Sequence, residues 1–338
     1  MDNDNGAVLV TGGAGYIGSH TVRQLRRRGQ KVVVIDTLEL GDRDAIADTP
    51  LLVGDVADSE LVTNTIAAHR VTSIVHFAAY KSAGESVERP GRYFVNNVAG
   101  SARLLEAARL AGVKAFVFSS TCAVYGTPEA APVAEDAPVR PESPYGESKA
   151  AVERMLRWFD VCHGLRSVSL RYFNAAGAAM DGSLGEDWTW TTNLIPVAMK
   201  ALLGAGPPLR VFGVDYPTPD GTAIRDYVHV DDLADAHLRA LDYLAAGGDT
   251  VELNLGTGSG SSVREVLAAA ERAAGRPVPC EDAPRRPGDP VALWADNRLA
   301  LRTLGWSPRY GLDDIVASAY GWHSMMAHED RDKARPAR

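Results

Sequence analysis

Tyr145 and Lys149 stand four residues apart in Tyr-Gly-Glu-Ser-Lys, so a phenol and an ammonium share one face of any helix that carries them. An ammonium beside a phenol stabilises the phenolate and draws its pKa down from about 10. Such a tyrosine can act as general base toward an alcohol or sugar hydroxyl. The pair alone says little, because exposed Tyr/Lys neighbours are common. Its weight comes from Val8-Leu9-Val10-Thr11-Gly12-Gly13-Ala14-Gly15-Tyr16-Ile17-Gly18. There a β-branched stretch leads into glycines at 12, 15 and 18 and then into a helical stretch, His20 to Arg28. Glycine at a turn admits positive φ and lets a phosphate approach the backbone. The helix start behind it offers N–H groups and a positive dipole end to a pyrophosphate.

Asp36 closes a second apolar run, Lys31–Ile35, eighteen residues beyond Gly18. A carboxylate there accepts from both hydroxyls of an adenine ribose and repels a 2′-phosphate, which selects NAD over NADP. An ordinary loop aspartate is the bland alternative. The order of strand, glycines, helix and acid argues against it.

These residues need a scaffold of βαβ units, and the first half of the chain alternates accordingly. Strands are expected at Ala7–Thr11, Lys31–Ile35, Leu51–Val53, Thr72–Phe77, Ala115–Ser119 and Ser167–Tyr172, and helices at Tyr16–Arg28, Ser59–His69, Arg92–Ala111 and Pro144–His163. Thr127 to Pro144 holds five prolines and reads as a loop. The expected architecture is α/β, a Rossmann-type doubly wound parallel sheet with a smaller α/β substrate domain. The boundary is placed at 174: residues 1–174 bind NAD, 175–338 bind substrate, and segments within about 226–255 return to the sheet.

The match to a known family spreads far beyond these two motifs. It includes Lys81-Ser82-Ala83-Gly84-Glu85-Ser86, Asn96-Asn97-Val98, Phe118-Ser119-Ser120-Thr121 with Val124-Tyr125-Gly126, and Arg171-Tyr172-Phe173-Asn174. Asp215-Tyr216-Pro217, Arg225-Asp226-Tyr227-Val228-His229-Val230 and Trp294-Ala295-Asp296 follow. From about Ala7 to Trp322 the chain resembles the extended short-chain dehydrogenases/reductases, and among them the UDP-glucose (UDP-galactose) 4-epimerases.

The resemblance implies bound NAD and an interconversion of UDP-galactose and UDP-glucose. C4 is transiently oxidised, the 4-keto sugar turns over in the site, and hydride returns to its other face. It implies that Tyr145 is the base, that Lys149 lowers its pKa and reaches the nicotinamide ribose, and that the Thr121 hydroxyl bridges the sugar C4 oxygen and Tyr145. Tyr16 and Ile17 would complete the cofactor loop, Asp55 and Val56 would meet adenine, and Phe77, Ala78 and Ala79 would let backbone approach the cofactor. A turn or capping role remains open for Asp55. Ser119, Tyr172 and Lys81 would face the nicotinamide side, Lys81 also touching substrate. Asn97 would position nearby backbone, a plain buried amide being equally open.

For the nucleotide sugar, the resemblance implies a pyrophosphate clamp of Arg225 and Arg286, with Asn174, Asn193 and Leu194 adding an amide and helix-end donors. Asp289 would accept from the uridine ribose, and Phe212 would pack uracil. Singly, each reads equally well as a salt bridge or core residue. Leu293 falls where relatives control room at the sugar C2 substituent, so partial tolerance of N-acetyl sugars is expected. The two longer helices match the pair that joins subunits in this family, which implies a homodimer.

The chain has 338 residues and a net charge of −8, with 46% hydrophobic and 23% charged residues, an ordinary globular balance without a basic stripe for nucleic acid. Arg26-Arg27-Arg28 reads as a solvated helix end. Cys122, Cys162 and Cys280 show neither CxxC nor metal-ligand spacing, which fits a reducing cytoplasm. No signal peptide or long apolar span is visible, and Met1–Gly6 and Asp330–Arg338 read as polar ends. Around His229, Asp231, Asp232, Asp235 and His237 a helix start capped by Asp231 or Asp232 is expected rather than a metal site.

Among rival chemistries, a 4,6-dehydratase would carry Asp-Glu after the catalytic threonine, where Cys122-Ala123 stand. A dual-specificity or a pentose or uronate 4-epimerase is closer. A uronate would require a cation near C6, which the sequence does not identify. An inactive NAD-sensing protein is disfavoured by Thr121, Tyr145 and Lys149 together.

Overall fold

The computed structural model describes residues 6–189, 191–286 and 288–333, so most of the two polar ends lies outside the described residues. Seven strands form one sheet: β1 (Ala7–Thr11), β2 (Val32–Asp36), β3 (Leu51–Val53), β4 (Val71–His76), β5 (Ala115–Thr121), β6 (Arg166–Tyr172) and, after the short β7 (Asn174–Ala176), β8 (Leu209–Phe212), β9 (Ile224–Arg225) and β10 (Tyr227–His229), finally β11 (Val251–Leu255). The order is β11-β6-β5-β4-β1-β2-β3, all parallel, so the winding reverses between β1 and β4. A crevice opens at the carboxyl ends of the two strands flanking such a reversal. Gly12 and Phe77 follow those two ends.

Period two along each strand splits the core. Val8, Val10, Val34, Val75, Val117 and Val168 pack one face, with α1 (Tyr16–Arg27) among the elements covering it. Leu9, Val33, Ile35, Ile74, Phe116 and Phe118 pack the other, under α2 (Ser59–His69). Burial on both faces explains why β1 and β2 read as unbroken apolar runs.

The strand expectations hold to within two residues; β5 runs on to Thr121, which pairs with Tyr172. The helix expected at Arg92–Ala111 is not uniform. After α3 (Ala83–Glu88) come α4 (Pro90–Tyr93), a π-helical stretch Phe94–Gly100 and α5 (Ser101–Leu110). Polar periodicity cannot distinguish 3.6 from a locally wider turn, and such turns favour functional positions. α6 (Pro144–His163) has the expected bounds, with Ser143 accepting from Gly146 N–H and Gly164 ending it at φ 66°.

A second apolar cluster joins α7 (Leu194–Leu203), β8 and β10. Onto it pack α9 (Val263–Ala274) and α11 (Leu312–Lys333), which follow α8 (Val230–Ala245) and, for α11, α10 (Arg298–Leu304). The chain thus returns to the sheet through α8 and β11, and three small pairings complete it: β7 with β10, β8 with β13 (Cys280–Ala283), and β9 with β12 (Ser261–Ser262) and β14 (Ala292–Leu293).

The start of α8 is capped differently from the expectation. His229 Nδ1 accepts from the Asp231 N–H, freeing both acids for tertiary contacts. Asp231 binds His20 and Arg23 on α1, and Asp232 binds Arg309. Arg26, Arg27 and Arg28 each pair with an aspartate at the surface. Among the described residues no helix is long and apolar enough to cross a membrane.

Candidate active site

The cofactor end of the crevice is shaped by glycine. Gly12 has φ +70°, and a Cβ there would fall 2.5 Å from Ala78 N, so the β1 turn lies directly on the backbone after β4. A Cβ on Gly18 would fall 2.2 Å from Gly12 O, which is how α1 approaches the turn. On Gly15 it would meet only Gly12 O, at 3.3 Å, leaving a shallow cradle at the helix start. No side chain caps that start and no acid lies in its first turn. Asp36 is buried, its Oδ2 accepting from Ala14 N–H at 3.0 Å and its Oδ1 from Leu38 N–H at 2.9 Å. Two lone-pair positions remain for ribose hydroxyls. This set fits NAD: an uncapped helix end for pyrophosphate, a cradle only glycine leaves open, and a ribose acid.

Asp55 is exposed and closes a turn by accepting from Ala57 N–H at 2.8 Å, while Val56 is buried beside it. Phe77 and Ala78 donate to Thr11 O, and the Phe77 ring lies 4.6 Å from that of His237. Asn97, in the π-helical stretch, grips Tyr80 twice, accepting from its N–H and donating to its carbonyl, each at 3.0 Å. Its amide also donates to Ser148 Oγ on α6. The side chain therefore ties the strand-4 loop, which carries Ala78, Ala79 and Lys81, to the helix that carries Tyr145. Tyr16, one residue into α1, donates to Gly177 O at 2.6 Å.

Thr121, Tyr145 and Lys149 come together at the end of β5. A Cβ on Gly146 would fall 2.6 Å from Ala123 O, so glycine lets α6 sit against the 3-10 turn Cys122–Tyr125 that Thr121 caps. The Thr121 oxygen accepts from Ala123 N–H at 3.2 Å, leaving its proton free to favour the Tyr145 phenolate. Behind it Ser120 donates to Glu153, which holds Arg171 through both carboxylate oxygens, at 2.9 and 2.7 Å.

Tyr145 is partly exposed at the cleft, yet burial pushes its phenol well above the ordinary value, Tyr172 adding to this and Thr121 opposing it. Lys149 makes no direct bond to it in this arrangement: its Nζ donates to Ser119 O at 2.9 Å and lies 6.0 Å from the Tyr145 ring centroid. Burial also brings Lys149 down to about 7, against the pull of Glu153 four residues on. Helical spacing placed the two groups on one face. The neighbouring carbonyl decided where the ammonium points. Tyr172 bonds the Ser119 hydroxyl, and burial pushes its phenol up to about 12. Burial likewise pushes the Cys122 thiol up to about 12, which disfavours the thiolate a nucleophile needs.

Across the cleft, β9 and β14 lie side by side with Arg225 opposite Leu293. Arg225 donates to Asp289 at 2.9 Å, and Arg286 lies 3.9 Å over the Phe212 ring. The structure thus gathers Arg225, Arg286, Asp289, Phe212 and Leu293 in one corner. The two arginines, though, engage an acid and an aromatic face rather than each other. Leu293 is buried against Val124, Tyr125 and Phe173. Asn174 is exposed on β7, and Asn193 precedes Leu194 at the start of α7. The Asn193 amide is turned aside, donating to Glu186 at 3.2 Å. Glu186 and Glu153 escaped the sequence reading. Glu153 left a signal, four residues after Lys149; Glu186, alone in an irregular stretch, left none.

Comparison with known proteins places these residues in context. The NAD dependent epimerase/dehydratase family matches residues 8–256. A UDP-glucose 4-epimerase of Rhizobium meliloti is 49% identical over 324 residues, covering 96% of this chain and 98% of its own. A crystal structure of the Stenotrophomonas maltophila UDP-glucose-4-epimerase with bound NAD and formylated UDP-arabinopyranose superposes with a TM-score of 0.93 at 40% identity, covering 96% of this chain and all of that one. The UDP-Glc/GlcNAc 4-epimerase of Campylobacter jejuni gives 0.84 at 40% identity, over 95% of this chain and 100% of that one.

Proposed function

The chain belongs to the NAD dependent epimerase/dehydratase family, and from that premise we propose how its cleft works. It is an NAD-dependent epimerase that interconverts UDP-galactose and UDP-glucose. The observation that carries the mechanism is the convergence of Thr121, Tyr145 and Lys149 at the end of β5, on the same sheet edge as the glycine cradle after β1 and separated from it only by β4.

The C4–H bond of a sugar is not acidic enough for simple deprotonation. NAD, held by the Gly12–Gly18 loop and Asp36, supplies a reversible hydride acceptor, so C4 can pass through a ketone with no net redox change. The protein's own residues handle the proton. Tyr145 exchanges it with the C4 hydroxyl, and Thr121, its oxygen already bonded to backbone, donates toward the same point. Burial keeps the resting phenol protonated, so Tyr145 becomes the base only against a cation. Lys149 is that cation, and its exchange between Ser119 O and the phenol gates the base.

Arg225 and Arg286 hold the diphosphate, and Asp289, Phe212, Asn174, Asn193 and Leu194 hold the nucleoside and sugar edges. Residues 1–174, with return segments in about 226–255, form the NAD-binding part, and 175–338 the sugar-nucleotide part. Phe94 and Val95 beside α5, and Trp158 and Val161 on α6, expose apolar surface, Val161 by 76%. Exposed apolar side chains on both of these helical stretches support a homodimer formed through them. A cytoplasmic setting suits its free thiols.

Leu293 carries no hydroxyl and is smaller than an aromatic, which supports partial acceptance of UDP-N-acetylgalactosamine. Initial rates on UDP-galactose and on the N-acetyl sugar, at saturation and without added NAD, test the reading. Fast conversion of the first and slow conversion of the second is the expected result. No turnover of either, even with NAD supplied, would overturn it.

A further inference from the structure

Glu186 lies between β7 and α7 and is only 6% exposed. One oxygen, Oε1, accepts from the Thr191 hydroxyl at 3.1 Å and the Asn193 amide at 3.2 Å, and stands 3.8 Å from the Lys81 ammonium. The Lys81 side chain itself is 66% exposed, on a flexible four-carbon stem. The backbone beneath Glu186 is pinned from α11: the Trp322 indole N–H donates to Glu186 O at 3.1 Å. A Cβ on Gly185 would fall 2.3 Å from that indole, so glycine is what lets the chain pass. Burying a carboxylate without full pairing is costly, so a residue that serves only to close a loop has no need of one here.

We propose that Glu186 is a positioning residue that holds Lys81, on the cofactor edge of the cleft, against Asn193, on the sugar-nucleotide edge. Lys81 follows the segment whose Ala78 lies on Gly12, and Asn193 opens the helix assigned to substrate. One buried carboxylate therefore spans the gap between the two halves of the site and sets their spacing. Its charge also reaches the cofactor loop: burial first, then Glu186, raises the Tyr16 phenol. The inference rests on the epimerase reading of the cleft.

A double-mutant cycle of Glu186→Gln and Lys81→Met tests it. Glutamine keeps an acceptor oxygen for Thr191 and Asn193 and removes only the charge that Lys81 meets. Each single change should lower kcat/KM about tenfold, with the double variant no worse than Lys81→Met alone. NAD retained through purification, measured on the acid-released nucleotide, should show the same lack of additivity while the melting midpoint of Glu186→Gln stays at the wild-type value. Gly185→Ala, which alters neither partner, should reproduce the Glu186→Gln loss by displacing the carboxylate. Wild-type rates and NAD content in Glu186→Gln, or losses that multiply in the double variant, would overturn the clamp. A wild type inactive on both UDP-sugars would instead overturn the epimerase reading, and the NAD-retention cycle would still judge the clamp.

Discussion

Alanine at each loop glycine separates the fold's need for glycine from the cofactor's. At Gly12 the new Cβ would meet Ala78 N at 2.5 Å and Ala78 Cα at 2.8 Å, backbone atoms that cannot swing away. The residue also sits at φ +70°. A left-handed conformation costs an L-residue about 1–2 kcal/mol. Overpacking a close contact adds about 1–3 kcal/mol. Gly12→Ala should therefore lose about 2–5 kcal/mol of stability in NAD-free protein. Gly15 is different. It has φ −79°, and its Cβ would touch only Gly12 O at 3.3 Å. As an N-cap, alanine there costs about 1 kcal/mol or less relative to glycine. Its methyl group, however, would stand in the cradle where the pyrophosphate lies. A clash of about 1–3 kcal/mol converts to roughly 5- to 150-fold weaker NAD. Urea unfolding of stripped protein and calorimetric NAD titration measure the two effects separately. A Gly15→Ala variant that binds NAD like wild type would refute the cradle. A Gly12→Ala variant as stable as wild type would refute the steric argument.

Tyr145→Phe should lose turnover by several orders of magnitude while keeping NAD, since the ring and its packing against Tyr93 remain; rates and nucleotide content on one preparation check both. Leu293→Tyr should raise selectivity for UDP-galactose over UDP-N-acetylgalactosamine, and unchanged selectivity would remove Leu293 as a determinant. Lys149 titrates near 7 when folded and at 10.5 when free, so the unfolded chain binds the extra proton between those values and the residue's contribution to stability rises with pH across that window. Urea melts of Lys149→Met from pH 7 to 9 should show a shallower rise than wild type. Trp158→Glu, at a side chain from a residue 67% exposed, should yield monomers by sedimentation if α6 joins two copies, and an unchanged mass would exclude that face.

The residues that make this protein a cofactor-binding α/β enzyme are local in sequence. A buried parallel strand must be an apolar run, a phosphate turn must be glycine, and a ribose acid must follow the next strand. Val8–Val10, Gly12–Gly18 and Asp36 therefore announce themselves without a structure. So does the shared face of Tyr145 and Lys149, because a helix fixes which residues are neighbours. The direction of a side chain on that face is not local. Lys149 turns to Ser119 O because β5 delivers a carbonyl there, thirty residues away in sequence. The phenol of Tyr145 is raised by the burial that the packing of α6 against β5 creates. Arg225, Asp289, Arg286 and Phe212 are gathered by strand pairings with no periodic signal. Glu186 meets Lys81 across 105 residues of chain. Sequence by itself determined which chemistry the chain carries, because motif spacing is set by backbone geometry within single elements. Only the tertiary structure decided the protonation, orientation and pairing of those groups, because burial and Coulomb interactions depend on distances that no stretch of sequence contains.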